Sequence, residues 1–410
     1  MKRLVSTAAI AVTAALILAS CSSAPDSDKG STSDPIKIAV LEPFSGPLAS
    51  YGAMVLGSIQ AEADLINAAG GIDGRQIEVI SRDNAMDPQK TVQAAQELAS
   101  DPDVALIEGP SFTFLFNAAK DIFEQAKKVN CQPAVNADNA LDGLTYAFRT
   151  GPPNTPKVEA SLAYISENTD IKTIGMVNAN DASGEDLDAA LKTLAPKYGL
   201  EYLGAQFFTP GSKSVVPQVN ALKDADSIFV SATVSDAGIT ASDARSVGFK
   251  GTFIGTDGLF VGTAFVQAGV EGVEGTIFSQ EDSLYMTRIP KSEWPKASLT
   301  SFEAVVESQG YLPDNNTGLK LLNGAMIAND CVVQWAAAAK IAGTVDAAEV
   351  AKAWSTLELS ADENPSGTPV KYTEDNHNAY SSYKQEGVYS LEHDEDGWYF
   401  EQLVAPSLAD

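Results

Sequence analysis

The segment EGPSFT contains residues that could bind an anionic group. Ser111 and Thr113 lie between an apolar run and an amphipathic run that contains Phe116. Backbone N–H groups at the start of a helix are unpaired and lie at the positive end of its dipole, so they can hold a ligand carboxylate without a basic side chain. The same two residues could instead cap their helix, as serine and threonine usually do.

Three further loops carry polar candidates. Asp257 ends the apolar run in FIGTDG, where it could contact a ligand or form an Asx-turn before the next glycine. Ligands of a doubly wound sheet bind beyond the carboxyl ends of its strands. By that rule, further candidates for ligand contact are Asn136, Ala137 and Asp138, which follow one apolar run, and Tyr51, which follows the first apolar run. Asp138 could bind an amine or cap the next turn, and Tyr51 could equally be a buried residue at a helix start.

The residue types do not favour catalysis, a metal site or nucleic-acid binding. The only histidines, His377 and His393, lie outside these loops, so a serine or cysteine nucleophile has no predicted base nearby. No GxGxxG or Walker sequence occurs, and EHDEDGW lacks the length and spacing of a calcium loop. The net charge of −27, without clusters of Lys and Arg, argues against nucleic acid. We therefore expect a binding protein without a cofactor or metal.

Short apolar runs alternate with longer amphipathic runs from residue 36 onward, which predicts alternating strands and helices. Asp87 and Pro88 predict the start of one helix, as its N-cap and its first residue. The pattern breaks at FRTGPPNTP and then restarts, and Asp396-Gly397 predicts a late hairpin. A chain of 410 residues is too long for one core. We therefore predict an α/β fold with two lobes, each built on a doubly wound parallel sheet.

The N-terminus predicts export and a lipid anchor. Lys2 and Arg3 precede an apolar run too short to span a membrane, so residues 1–20 are typical of a secretory signal. The run ends in Leu-Ala-Ser-Cys21, which resembles the lipobox of bacterial lipoproteins, where the cysteine is acylated and becomes the mature N-terminus. A plain signal with an incidental cysteine is the alternative. Residues 21–35 predict a disordered tether, which places the folded part outside the cytoplasmic membrane.

Two cysteines, Cys131 and Cys331, remain in the exported part. A disulfide is permitted outside the cell, but the spacing in sequence does not give the geometry. A disulfide and two buried thiols are both left open.

Five stretches make the chain resemble the branched-chain amino-acid-binding receptors of ABC importers, which have the type I periplasmic-binding-protein fold. They are IKIAVLEPFSGPLASYG, INAAGGIDGRQIEVISRDNAMDPQKTVQAAQEL, FRTGPPN, ARSVGF and FIGTDG. The resemblance implies a chain that crosses a hinge three times, with lobe I in residues 36–148 and 282–385 and lobe II in residues 150–279 and 386–404. A single break at Gly151 is the alternative. Three crossings imply rigid lobes that close around a ligand.

The resemblance also implies roles for the candidate residues. Thr113 matches the residue that clamps the ligand carboxylate, in a loop that it shares with Ser111 and Phe112. Asp257 stands where the family uses a glutamate to hold the ligand ammonium. A carboxylate on one lobe would bind the ammonium of a zwitterion, and a helix N-terminus on the other lobe would bind its carboxylate.

Other positions depart from the family. Asn136, Ala137 and Asp138 match a region that supplies backbone and hydroxyl contacts, although the family more often has a threonine at the last of them. Ser183 and Thr233 replace the family's aromatic wall on lobe II. The pocket for the ligand side chain is therefore reshaped, and leucine or isoleucine is not implied.

The resulting prediction is a solute-binding lipoprotein that captures a small polar ligand, an amino acid or amide, and passes it to the permease subunits of an ABC importer. A sensory receptor that signals to a membrane protein is one alternative, and a receptor for an aromatic acid or a urea-like solute is another. An exported hydrolase is disfavoured because no histidine lies near the candidate loops.

Overall fold

A computed structural model describes residues 34–408, except 47, 210–211, 232–233, 282–283, 285–286 and 310–324. The predicted signal, the anchor at Cys21 and the tether up to residue 33 lie outside the described residues, as does Thr233. Across the described ranges, none of the helices combines the length and the apolar character needed to cross a membrane.

The first half of lobe I alternates strands and helices, as the sequence predicts. In chain order the elements are β1 (Ile36–Glu42), α1 (Ala49–Ala68), β2 (Ile77–Asp83), α2 (Pro88–Ser100), β3 (Val104–Glu108), α3 (Thr113–Gln125), β4 (Asn130–Gln132) and β5 (Ala147–Arg149). The strands form a five-stranded sheet in the order β2-β1-β3-β4-β5, and all neighbouring pairs are parallel. The Asp87 carboxylate accepts hydrogen bonds from the N–H groups of Gln89 and Lys90, which confirms the predicted start of α2.

The chain then enters a second sheet. Its elements are α4 (Asn154–Asn168), β6 (Thr173–Ala179), α5 (Ala182–Leu194), β7 (Glu201–Phe208), α6 (Val216–Ala221), β8 (Ser227–Val230), α7 (Val234–Ser246), β9 (Thr252–Thr256), α8 (Gly258–Gln267) and β10 (Thr276–Gln280). Neighbouring strands among these five are parallel.

The remaining elements return to the first sheet and then to the second. They are α9 (Lys296–Gln309), α10 (Ala325–Ala342), α11 (Ala347–Trp354), β11 (Glu358–Leu359), β12 (Val370–Lys371), β13 (Gly387–Asp394) and β14 (Gly397–Val404). Helices α9 and α10 pack against α1, whereas β13 pairs antiparallel with β10 and with β14. The second sheet therefore has the order β14-β13-β10-β9-β8-β6-β7. The chain passes between the sheets three times, which confirms the predicted fold.

Each sheet has its own hydrophobic core. Trp335, Trp354 and Phe148 are fully buried beside the first sheet, and Phe265 and Phe278 are fully buried beside the second. Because separate buried clusters lie on the two sheets, each lobe can remain rigid while the connecting strands bend. The residue boundaries that the sequence gives for the two lobes stay a prediction.

Cys131 on β4 and Cys331 on α10 form a disulfide, which settles the alternative that the sequence leaves open. Both residues are fully buried within lobe I. Their separation of 200 positions means that the closed loop contains α4 to β10 of lobe II.

Candidate functional site

Two acidic residues lie side by side at the carboxyl edge of the first sheet. Glu42 ends β1 and Glu108 ends the neighbouring strand β3, and both side chains are fully buried. Burial raises the pKa of Glu42 to about 8 and that of Glu108 well above its usual value. Gly109 follows with φ +82°, and a Cβ there would lie 2.6 Å from the Glu42 carboxylate, so the turn requires glycine.

Ser111 is held in place by hydrogen bonds to Glu42 at this edge of the first sheet. Its N–H donates to Glu42 Oε1 over 2.9 Å, and its hydroxyl donates to the same oxygen. The Tyr51 hydroxyl donates to Ser111 Oγ over 3.0 Å. Ser111 is fully buried and Tyr51 nearly so, so the structure brings these two predicted site residues together behind the loop. Their contact with a ligand stays a prediction, and positioning of the loop is the role that the hydrogen bonds support.

The start of α3 lacks a side-chain cap. Phe112 occupies the N-cap position in extended backbone, at φ −101° and ψ 131°, and makes no capping hydrogen bond. The N–H groups of Thr113 and Phe114 have no acceptor among the residues that the structure describes. Phe112 contacts the Tyr51 ring edge-on, at a centroid distance of 5.8 Å, and is half-buried against the lobe I core. Neither Ser111 nor Thr113 caps the helix, so the N–H groups that the carboxylate prediction needs are open.

Asp257 follows β9 in the left-handed region, at φ +53°. Its carboxylate accepts hydrogen bonds from Lys157 Nζ over 2.7 Å, from Thr256 Oγ1 over 3.0 Å and from Ser231 Oγ over 3.3 Å. Burial acts to raise the pKa of Asp257, but the Lys157 ammonium and these hydrogen bonds outweigh it and hold the pKa below its usual value. The ion pair with Lys157 is a feature that the sequence reasoning missed.

Lys157 lies in the first turns of α4, and 3% of its side chain is exposed, against 22% for Asp257. Burial acts to lower its pKa, but Asp257 and Glu281 raise it above the usual value, so Lys157 is charged at neutral pH. Nζ also donates to Asn136 Oδ1 over 3.1 Å. Lys157 therefore connects Asp257 of lobe II with the predicted site residue Asn136 in the loop after β4.

The rest of that loop is held by two charged groups. The exposed Asp138 accepts hydrogen bonds from the Thr155 N–H over 3.0 Å and from Thr155 Oγ1 over 2.6 Å, so it caps α4. The buried Arg149 guanidinium donates to the carbonyls of Val135 and Ala137, and burial lowers its pKa to about 10. Asp138 thus holds the start of α4 instead of the turn that follows it in sequence, and its contact with a ligand stays a prediction; the Ala137 carbonyl is already engaged.

Ser183 and the two histidines lie apart from these groups. Ser183 is half-buried in the first turn of α5, and Asp181 caps that helix by accepting from the Gly184 N–H. His377 stacks on Phe148, and His393 packs on a tryptophan of the hairpin. Within the described ranges, no group of three or more His, Cys, Asp or Glu is arranged to hold a metal ion.

The buried carboxyls predict that stability falls as pH rises. Burial raises the pKa of Glu42 to about 8 and those of Glu62 and Asp330 to about 7, whereas the unfolded values are about 4. The folded protein therefore retains protons that the unfolded chain has lost. The stability that these protonated carboxyls contribute is fully present below about pH 4 and is lost as the pH rises through roughly 7 to 8.

We expect the free energy of unfolding, measured by urea denaturation, to fall by on the order of 2 kcal/mol between roughly pH 6.5 and 8.5. His377 opposes this trend weakly near pH 6.5, because burial lowers its pKa and the unfolded chain therefore holds a proton there that the folded imidazole has lost. Glu42→Gln should flatten the pH dependence. Stability that rises over the same range would show that these carboxyls are ionised in the folded protein.

Comparisons with known proteins agree with this architecture. A family model described as periplasmic binding protein matches residues 35–386. A Leu/Ile/Val-binding protein homolog of Brucella melitensis is 28% identical over 46% of this chain and 52% of its own length. The Leu/Ile/Val-binding protein of Escherichia coli K12 is 29% identical over 52% of this chain and 58% of its own length. The chain thus spans about half the length of the curated relatives it matches.

Solved structures match over more of the chain. The branched-chain amino acid transporter substrate binding protein LivJ of Streptococcus pneumoniae, in complex with isoleucine, has a TM-score of 0.72 and 22% identity, and the match covers 90% of this chain and 99% of LivJ. A solute binding protein of R. palustris, in complex with 4-hydroxybenzoate, has a TM-score of 0.74 and 18% identity, with coverage of 91% and 98%. At these identities the likeness shows the fold.

Proposed function

The chain belongs to the periplasmic binding protein family, and we propose that it is the extracytoplasmic solute-binding component of an ABC importer. It captures a small polar solute, an amino acid or amide, between its two lobes and delivers it to the permease subunits. The observation that carries this proposal is the open start of α3 at the carboxyl edge of the lobe I sheet, where the Thr113 and Phe114 N–H groups have no acceptor among the described residues. Such a site suits a ligand carboxylate.

We propose further that the two lobes close around the solute. Two cores joined by three crossings permit hinge bending, and a ligand that contacts both lobes stabilises the closed state. The contacts on lobe II come from the loops after its strands, including the one that holds Asp257. Ser183 and Thr233 are proposed to line the side-chain pocket.

A lipid anchor at the N-terminus completes the proposal. We propose that residues 1–20 are removed and that Cys21 carries the lipid that holds the protein at the outer face of the cytoplasmic membrane. The Leu-Ala-Ser-Cys sequence supports this step. The disulfide between Cys131 and Cys331 is consistent with an oxidising compartment. Mass spectrometry of the protein from its native membrane tests for the acylated cysteine.

The carboxylate site is tested most sharply by Thr113→Pro. Proline is favourable at the first position of a helix, and the extended backbone of Phe112 suits a residue that precedes proline. The substitution removes one N–H group and leaves the helix intact. We expect the tightest binder from a panel of amino acids, amides, hydroxy acids and benzoates to lose about 1.5–3 kcal/mol, the range for a hydrogen bond to a charged group.

Thr113→Ala is the matched control for that measurement. It removes the hydroxyl but keeps the N–H, so isothermal titration should show the larger loss in the proline variant. Equal affinities in the two variants would mean that the Thr113 N–H does not bind the ligand. Unchanged circular dichroism is required of both.

A further inference from the structure

The Asp257 carboxylate has little capacity left for a ligand ammonium. It already accepts hydrogen bonds from Lys157, Thr256 and Ser231. The Thr256 hydroxyl has one proton and also lies 2.7 Å from Ser231 Oγ, so at least two of the roughly four lone-pair sites of the Asp257 carboxylate are engaged at a time. Because 22% of the Asp257 side chain is exposed, the pair that it forms with Lys157 is reachable from solvent on the Asp257 side.

Lys157, by contrast, has a donor to offer. An ammonium carries three N–H groups, and two of them bind Asp257 Oδ1 and Asn136 Oδ1. The third has no acceptor among the described residues, although the side chain is only 3% exposed. A buried donor without an acceptor is costly, so an oxygen placed there by a ligand would be favoured.

Glu281 does not supply that acceptor. It follows β10 and is buried, and its Oε2 atom has no hydrogen-bond partner among the described residues. Burial raises the pKa of Glu281, which reduces the negative charge that it adds beside Lys157 and Asp257. Asp257 is the counter-ion that is hydrogen-bonded to Lys157, and it raises the pKa of Lys157 more than the buried Glu281 and Glu386 do.

An amino acid would bring a second cation to this group. Its ammonium, placed at Asp257, would stand close to the Lys157 ammonium, and like charges at such separations repel. An oxygen in the same place would instead accept the free N–H of Lys157. We infer that the receptor takes a carboxylate whose second polar group is an oxygen acceptor, a hydroxyl, carbonyl or amide oxygen, and not an ammonium, with Lys157 as the residue that sets this preference. This inference rests on the proposed solute-binding function and removes amino acids from the ligands proposed there, which leaves amides, hydroxy acids and keto acids.

Matched pairs of ligands test it. Each pair has the same carbon skeleton and carboxylate but differs in the second group: leucine against 2-hydroxy-4-methylpentanoate, phenylalanine against 3-phenyllactate, and alanine against lactate. Isothermal titration of the wild-type protein should give at least tenfold tighter binding of the hydroxy acid in any pair that binds. Lys157→Met frees the Asp257 carboxylate and should reverse that order.

Asp257→Asn provides a second variant in case Lys157→Met does not fold. It removes the carboxylate but keeps an oxygen acceptor for Lys157, so the hydroxy acid should remain the tighter binder of each pair. If instead wild type prefers the amino acid of each pair and Asp257→Asn abolishes that binding, Lys157 is only a structural counter-ion and the inference is overturned. Tighter binding of the amino acid than of the hydroxy acid, with lobe closure, would overturn the inference alone. Absence of binding by either member of every pair, together with no closure, would overturn the proposed function as well.

Discussion

Asp257→Ala is expected to lower the free energy of unfolding by about 3 kcal/mol. The substitution leaves the ammonium of Lys157 buried without its counter-ion, and breaking a buried pair from one side costs more than the pair itself contributes. The expected value is at the lower end of the usual range, because 22% of the Asp257 side chain is exposed and water can solvate part of the vacated site.

A double variant separates this effect from loss of packing. Lys157→Met combined with Asp257→Ala removes both charges and retains the unbranched stem of the lysine. Replacing a buried ion pair with apolar groups is often close to neutral, so urea denaturation should show the double variant to be more stable than Asp257→Ala alone. A double variant that is less stable than either single variant would show that the pair is not the reason for the loss.

Removal of the disulfide is expected to be comparably severe. Cys131 and Cys331 close a loop of 200 positions, and a cross-link of that length restricts the unfolded chain strongly. We expect the combined Cys131→Ala and Cys331→Ala substitutions to cost about 2–5 kcal/mol. Both sulfur atoms lie in the lobe I core, so the two substitutions also remove buried apolar volume.

Reduction of the wild-type protein under denaturing conditions provides the control for that experiment. It removes the cross-link but not the sulfur atoms. The difference in the free energy of unfolding between reduced wild type and the double alanine variant therefore gives the contribution of sulfur packing alone. A double alanine variant that unfolds at the same urea concentration as the oxidised wild type would contradict a stabilising role for the disulfide.

The fold was predictable because its signals are local. Short apolar runs predicted the strands, Asp87 and Pro88 predicted the start of α2, and Gly397 marks the predicted hairpin at φ +111°. The geometry of the disulfide was not predictable, because it depends on how α10 packs beside β4 and no sequence pattern encodes that distance.

The candidate site was predictable only in part. Asp257 was identified because it ends an apolar strand, and Glu42 and Glu108 end strands in the same way, so the same signal could have found them. Lys157 could not be assigned to Asp257 because the two residues are 100 positions apart and meet only when α4 lies beside β9. The ammonium role that the family resemblance implies for Asp257 stays a prediction, and Lys157 is a partner of Asp257 that the sequence does not reveal.

The contacts of the loop after β4 were also predictable only in part. The sequence predicts Asp138 as either an amine site or a cap of the next turn, and its carboxylate accepts hydrogen bonds from Thr155 at the start of α4. The sequence places Arg149 in the break between the lobes, and an arginine at the end of an apolar strand needs hydrogen-bond acceptors when it is buried. Its guanidinium finds them in the carbonyls of that loop.

Small-angle X-ray scattering of the wild-type protein, with and without the tightest binder from the ligand panel, tests the central claim most directly. If two rigid lobes close on a solute, the radius of gyration should decrease on binding, and the decrease should saturate at the ligand concentration that saturates the calorimetric titration. A radius of gyration that stays constant when the site is fully occupied would contradict closure of the lobes.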